Sequence, residues 1–409
     1  MVDHLFRREY GKMVAVLTRF FGPENLSMAE DVVQDTFIKA LKSWSFNGMP
    51  ANPEAWLHTV ARNRAIDLLR SDKRKQNHLE KSSDFTTTET EIDSLFLEHE
   101  IPDSQLRMIF MCCTLDLDPH DIIAVTLKVV SGFGVKEIAT ALYQQNETIK
   151  KRIQRARQKL QRNGDKAFHL PNQILEKVGL VNKILYLIFN EGYYSPHNTE
   201  IMKKELCLEA MRITKLVCEH KHTFNPESQA LLALMCYHAS RMESRTNQNH
   251  ELVLLENQNR DKWDKELIKV GHYYYAKSLQ QKSYSVYHLE AAIAAQHIIA
   301  ENLDTTDWDR MLHLHKLLYR MKPYPSVLLN LIVVLIKSGK LDEAEEKFNQ
   351  LKVESFAPNP YLYYAVGASL YSQMKNFTFS KKLLISALDH AEHPSEKEVL
   401  RQRLKKLYN

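Results

Sequence analysis

Glycine and proline are scarce in this 409-residue chain, at 11 and 13 residues, which removes most of the turn chemistry that a protein of short strands requires. Long apolar runs are missing too. The most apolar stretch, Val327 to Ile336, is about half of the ~20 residues that a bilayer span takes. The opening "MVDHLFRREYGK" carries charge from its start, so neither membrane insertion nor a secretory signal is expected. The cysteines are few and odd in number. Cys112, Cys113, Cys207, Cys218 and Cys236 lack the spacing of a disulfide framework, and reduced thiols in a cytoplasm are the expectation. No P-loop, nucleophile elbow, HExxH or glycine-rich dinucleotide turn occurs, so neither an enzyme nor a cofactor is expected. Glu191, His197, Asp261 and Asp264 stand singly at helix ends and in loops. "CEHKH" (218–222) puts Cys218 and His222 on one helical face and turns His220 away, which argues against a metal there.

What is present is helical. Hydrophobic residues make up 44% of the chain, and Leu, Lys, Glu, Gln and Ala recur at helical period, so the expected fold class is all-α, in more than one domain. Residues 76–103 hold a single lysine against eight acids around a Ser/Thr-rich centre, which marks a solvated acidic linker between two compact pieces. A second boundary is expected at "NGDKAFHLPN" (163–172), where Gly164 stops a helix and Pro171 forbids its continuation.

In the first piece, "SMAE" reads as a capping box, with Ser27 capping and Glu30 reaching back. Val33, Phe37, Ala40, Leu41 and Trp44 follow as an inner stripe, leaving Asp31, Gln34, Asp35 and Lys42 outward. After the loop "SFNGMPANP", a helix from Glu54 to about Asp72 buries Leu57, Val60, Ala61, Ala65, Leu68 and Leu69. It turns His58, Thr59, Arg62, Asn63, Asp67 and Arg70 outward and ends in the basic "RSDKRK".

The second piece ends in the form of a helix-turn-helix. Ile138, Ala139 and Leu142 line a short helix, "YQQN" makes the turn, and Ile149, Ile153, Ala156 and Leu160 line a second helix. Lys150, Lys151, Arg152, Arg155, Arg157, Lys159 and Arg162 all lie off that stripe, with no acid among residues 149–162. A net charge of only +5 means that any nucleic-acid footprint is local, and this helix is where it falls. Capped near Gln145 or Asn146, the helix presents Glu147, Thr148, Lys150, Lys151 and Arg152 at the end such motifs place in the major groove. The later cations then run along phosphates.

These residues carry a resemblance. "AEDVVQDTFIKALKSW" (29–44), "WLHTVARNRAIDLLRSDKR" (56–74) and "ETIKKRIQRARQKL" (147–160) resemble regions 2.2, 2.3 to 2.4 and 4.2 of an extracytoplasmic-function (ECF) sigma factor of bacterial RNA polymerase. The resemblance implies region 2 over 1–75, the acidic linker over 76–103 and region 4 over 104–166. It implies core RNA polymerase, through its β′ clamp helices and β flap, and promoter DNA as partners. Asp31, Gln34, Asp35, Phe37 and Lys39 match the clamp-docking surface. Trp56, His58, Arg62, Asn63, Asp67 and Arg70 match the helix that meets the −10 element, and the loop Phe46 to Pro53 matches the holder of an extruded base. Glu147, Thr148, Lys150, Lys151, Arg152 and Arg155 fall where the −35 element is read, although Glu147 stands where many such factors have Gly or Ala.

Residues 172–409 resemble the C-terminal TPR-like extension of one ECF subgroup, on the strength of "LYLIFNEGYYSPHN" (185–198), "LLENQNRDKWDKELI" (254–268) and "HLEAAIAAQHIIAE" (288–301). Pro325, Pro360 and Pro394 recur at 35 and 34 residues, near the TPR period. The two segments between them each read as helix, short turn, helix. A helical stack of this kind is suited to a regulatory protein or peptide, or to modulating the sigma unit. Where the subgroup shows "CCHP", this chain reads "CCTLD" (112–116), and buried thiols rather than a metal are expected. Two rival functions need less than a sigma factor does. A free-standing helix-turn-helix regulator with a TPR sensor needs no polymerase-docking face, and a TPR scaffold needs no DNA-reading helix.

Overall fold

The computed structural model describes residues 2–76, 92, 94–97, 100–142, 144–162, 174–194, 200–221, 223–246, 253–280, 284–357, 360–391 and 394–406. Its architecture is α-helical, with no β-strand among the described residues. The chain divides into two compact units, residues 1–228 and 229–409.

The first unit opens with α1 (Val2–Phe21), α2 (Leu26–Asn47) and α3 (Pro53–Gln76). A 3-10 turn at Pro23–Asn25 runs straight into α2, so the helix starts at Leu26 and Asn25 makes no side-chain cap. The capping box expected at Ser27 therefore does not form, and Glu30 is buried with other partners. Gly48, at φ 75°, ends α2 in a conformation that a Cβ disfavours. Asn52 then accepts the Ala55 N–H at 3.0 Å and Pro53 takes the first helical position, which fixes the start of α3.

Four helices follow: α4 (Glu100–Cys113), α5 (Pro119–Val129), α6 (Val135–Ala141) and α7 (Asn146–Arg162). Within the segment 76–103, Ile92 is fully buried and α4 already begins at Glu100. Asp118 caps α5 by accepting the His120 N–H at 2.9 Å, and Glu137 accepts the Gly134 N–H at 2.6 Å at the start of α6. Ile149, Ile153, Ala156 and Leu160 are the buried residues of α7, and α7 packs on α5 and α6. The first unit also takes in α8 (Ile174–Tyr194) and α9 (Glu200–Glu219), which pack on each other and on α4, while α8 meets α5 and α9 meets α6. It thus runs beyond the boundary expected at 163–172.

The division between the units falls inside α10 (Pro226–Ala239). The second unit continues through α11 (Lys265–Ser278), α12 (Val286–Ile299), α13 (Trp308–Met321), α14 (Pro325–Lys337), α15 (Leu341–Asn349), α16 (Tyr361–Gln373), α17 (Phe377–His390) and α18 (Pro394–Lys406). The pairs α14–α15 and α16–α17 are the helix-turn-helix segments read from the proline spacing. Their turns close alike. The Lys340 N–H donates to Leu335 O and the Asn376 N–H to Tyr371 O, with Gly339 at φ 71° and Lys375 at φ 62° in the left-handed position. Phe348 of α15 stacks on Tyr363 of α16, ring centroids 4.8 Å apart. Gly367 leaves the room for this, since a Cβ there would lie 2.5 Å from the Phe348 ring.

Candidate nucleic-acid interface

An aromatic chain organises the first three helices. Phe37 of α2 stacks on Phe6 of α1 at 4.4 Å, Phe6 meets Trp44 at 5.7 Å, and Trp44 meets Trp56 of α3 edge-on at 5.4 Å. Phe37 is therefore turned inward onto α1. Trp56 is half-buried, its ring held by Trp44; the loop expected to begin near Phe46 begins only after Asn47, so the 89% exposed Phe46 lies in the last turn of α2 and the exposed Met49 in the loop itself.

Asp31, Gln34, Asp35, Lys39 and Lys42 lie on the exposed side of α2. Leu41, expected on the inner stripe, is 55% exposed, and Ile38 is 52% exposed. The buried positions are Leu26, Ala29, Glu30, Val32, Val33, Thr36 and Ala40, and Leu41, one step of 100° past Ala40, falls beyond the edge of that face. The outer face is thus two apolar side chains set among acids and an amide. Asp35 also receives Arg64 of α3 at 3.0 Å, an exposed pair that ties the two helices together.

On α3, Asn63, Asp67 and Arg70 are exposed, while His58 and Arg62 are half-buried. His58 Nε2 lies 2.9 Å from the buried Glu9 of α1, which also accepts from Lys12 at 2.7 Å. Burial alone would raise the Glu9 carboxyl, but the bonds from His58 and Lys12 outweigh it and hold it down at about 2. A cavity of about 670 Å³ opens against this face, walled by Lys12, His58 and Arg62 on one side and by Phe96, Ile101 and Gln105 on the other.

On α7, Glu147, Thr148, Lys150 and Lys151 are exposed at the N-terminal end, with Lys150 paired to Glu147 at 2.7 Å. Arg152 and Arg155 turn back to α5 instead. Both donate to the buried Asp121, at 2.7 and 2.9 Å, and Arg152 also reaches Gln144 at 2.9 Å. The thiols of Cys112 and Cys113 are fully buried, and burial pushes Cys113 up to about 12, which makes it a poor nucleophile. His220 lies 3.4 Å from Asp103, and His222 is outside the described residues. No group of metal-ligating side chains occurs among the described residues.

Residues 5–75 match the sigma-70 region 2 family. The chain is 30% identical over 165 residues to the ECF RNA polymerase sigma-E factor of Haemophilus influenzae, a match covering 38% of this chain and 84% of that one. This chain belongs to the ECF sigma-factor family. A second sigma factor, YlaC of Bacillus subtilis, is 27% identical over 168 residues, covering 41% of this chain and 93% of the relative. Residues 177–279 match a family of unknown function, DUF6596. An uncharacterized protein of Rhizobium meliloti is 34% identical over 328 residues, 79% of this chain and 77% of that one, a match too long to be confined to the sigma regions. No solved structure matches. No helix among the described residues of this sigma factor is long and apolar enough to cross a membrane.

Proposed function

We propose that this sigma factor binds core RNA polymerase through the outer face of α2 and directs initiation at a two-element promoter. The observation that carries the reading is the α2 face, where Ile38 and Leu41 are exposed between Asp31, Gln34, Asp35 and Lys39. An apolar centre within a polar rim is the composition of a protein-docking patch, and a DNA-binding regulator without a polymerase partner has no use for it. Phe37 supports that face from beneath by its stacking on Phe6.

In this reading the −10 element meets α3 through His58, Arg62, Asn63, Asp67 and Arg70. An extruded base rests between Trp56 and the loop, and stacking on an aromatic ring returns ~1 to 3 kcal/mol of the unstacking cost. The −35 element meets α7. Glu147, Thr148, Lys150 and Lys151 face the bases, while Arg152 and Arg155 position the helix through Asp121. The test is co-purification with core polymerase of the wild type and of Gln34→Ala with Leu41→Asp. Both changes lie on the exposed face and leave the core intact, so unchanged association would remove the docking surface.

The second unit modulates the sigma regions, as a TPR-like stack that receives a protein or peptide. The support is the proline-spaced helix pairs with matching turns and the packing of α8 and α9 on α4, α5 and α6, which ties the extension's first helices to the helix-turn-helix domain. A chain ending after Ala239 keeps those helices. Altered promoter-directed transcription at equal core binding supports modulation, and identical activity removes it.

A further inference from the structure

The second unit gathers cations around one tryptophan that neither polymerase docking nor promoter reading uses. Arg260 sits over the Trp263 ring, 4.4 Å from its centroid, and Arg241 over the same ring at 5.8 Å. The segment is anchored twice. The Asp264 N–H donates at 2.9 Å to the Ser240 carbonyl, just past the end of α10, and Arg260 donates to the His297 and Ala300 carbonyls at the end of α12 at 2.6 and 2.7 Å. Arg260 thus meets carbonyl oxygens and no carboxylate among the described residues. The adjacent acid, Asp264, is occupied in capping α11, where it accepts the Glu266 and Leu267 N–H groups at 3.0 Å each. Burial first, then Arg241, His315 of α13 and Arg260, push the His297 imidazole down to about 4. His238 of α10 is pushed down to about 3 by burial, Arg241, Arg245 and His297. All of these neighbours carry positive charge or can take it.

We propose that this cluster is a binding site for a small oxyanion, the phosphate or carboxylate group of a low-molecular-weight ligand. Donors are in place for one. Trp263 is 4% exposed and its Nε1–H has no hydrogen-bond partner among the described residues, nor do the Nδ1 atoms of His297 and of the buried His315. An indole N–H can only donate, so burying it without an acceptor is a cost that an arriving oxygen removes. Arg241, Arg245, Arg260 and His297 are half-buried, so the cluster reaches solvent. Guanidinium groups match the geometry of phosphate and carboxylate alike. With Trp263 and His315 buried, only a compact group can reach their nitrogens, which favours a small molecule over a nucleic-acid backbone. Arg241, Arg245, Arg260 and Trp263 fall within the stretch that matches the family of unknown function, and Arg260 and Trp263 within "LLENQNRDKWDKELI". The site adds a ligand to the unit read above as modulatory, and it rests on that reading only for its regulatory consequence.

The test uses the full chain with isotope-labelled tryptophan at constant ionic strength. The Trp263 Nε1–H signal, identified by its loss in Trp263→Phe, is followed by NMR during titration with inorganic phosphate, with acetate and with chloride. A saturable shift with phosphate or acetate and none with chloride is expected, and the tighter of the two oxyanions identifies the ligand group. Arg241→Gln is expected to raise the dissociation constant about tenfold or more, the weight of a hydrogen bond to a charged group. Lys262→Gln removes the same charge from an exposed position outside the cluster and is expected to leave affinity unchanged. Should Arg241→Gln fail to fold, the wild-type titration still decides. A Trp263 signal unmoved by both oxyanions, or moved equally by chloride, would overturn the site while leaving the sigma reading intact, as would equal affinities in wild type and a folded Arg241→Gln. Identical transcription by the chain ending after Ala239 would instead remove modulation and leave the site standing.

Discussion

Arg152 and Asp121 hold α7 in register against α5: the guanidinium of α7 donates at 2.7 Å to a carboxylate that α5 buries almost completely. Arg155 shares the same oxygen at 2.9 Å. Arg152→Ala would leave a buried charge with half of its partners, at a cost of about 2 kcal/mol. The urea midpoint of the protein should fall accordingly, and DNA of every sequence should bind less well because the helix is misplaced. A variant as stable as wild type that loses discrimination at one base pair alone would show that Arg152 reads bases directly.

Lys151 and Arg162 are both exposed on α7, one toward its N-terminal end and one in the last turn. Arg162→Ala should lower the slope of log affinity against log salt by about 0.9 and weaken specific and random DNA alike. Lys151→Ala should cost ~1 to 3 kcal/mol on the specific site alone. Binding of −35 duplexes between low and moderate salt measures both, and equal effects on specific and random DNA would refute the division of roles.

Much of this candidate interface is legible in the sequence because helical period is local information. The apolar spacing of Ile149, Ile153, Ala156 and Leu160 is enough to place every cation of α7 off the core, and the structure buries those four residues. Leu41 went the other way because it sits at the edge of a stripe, where one step of about 100° decides between core and solvent. Glu30 shows a harder limit. "SMAE" has the local form of a cap, yet the partner that matters, Arg157, is 127 residues away. An ion pair between distant segments leaves no periodic trace, and neither does the contact of Gly11 with Val130. The turn at Lys375 was hidden for a related reason, since nothing in a lysine announces positive φ.

Lys375 occupies the position that Gly339 fills in the preceding helix pair, with φ of 62° against 71°. A Cβ in that conformation costs roughly 1 kcal/mol. Lys375→Gly should therefore stabilise the second unit by up to about 1 kcal/mol, less the entropy that glycine adds to the unfolded chain. Thermal unfolding checks this, and a destabilised variant would mean that the lysine side chain itself supports the turn.

Buried imidazoles make the second unit sensitive to acid. Burial pushes His315 down to about 4. Burial, then Arg241, His315 and Arg260, do the same to His297, at about 4. Burial with Arg241, Arg245 and His297 takes His238 to about 3. The unfolded chain, with imidazoles near about 6.5, binds protons first. Stability is then fully present above about pH 6.5 and is lost as pH falls toward about 4, by up to roughly 1.4 kcal/mol per pH unit for each histidine. His315→Gln should flatten that dependence. Urea unfolding at pH 7 and pH 5, followed by tryptophan fluorescence, gives the two slopes, and identical slopes for variant and wild type would contradict the assignment.

We propose that this chain confers promoter choice on core RNA polymerase through the α2 face and through α3 and α7. The most direct measurement is in-vitro transcription of genomic DNA by core polymerase with and without the purified full chain, with start sites mapped. Start sites are expected that appear only with the chain, share two upstream elements, and vanish with Gln34→Ala and Leu41→Asp together. Start sites unchanged by adding the chain, or fully retained in that double variant, would contradict it.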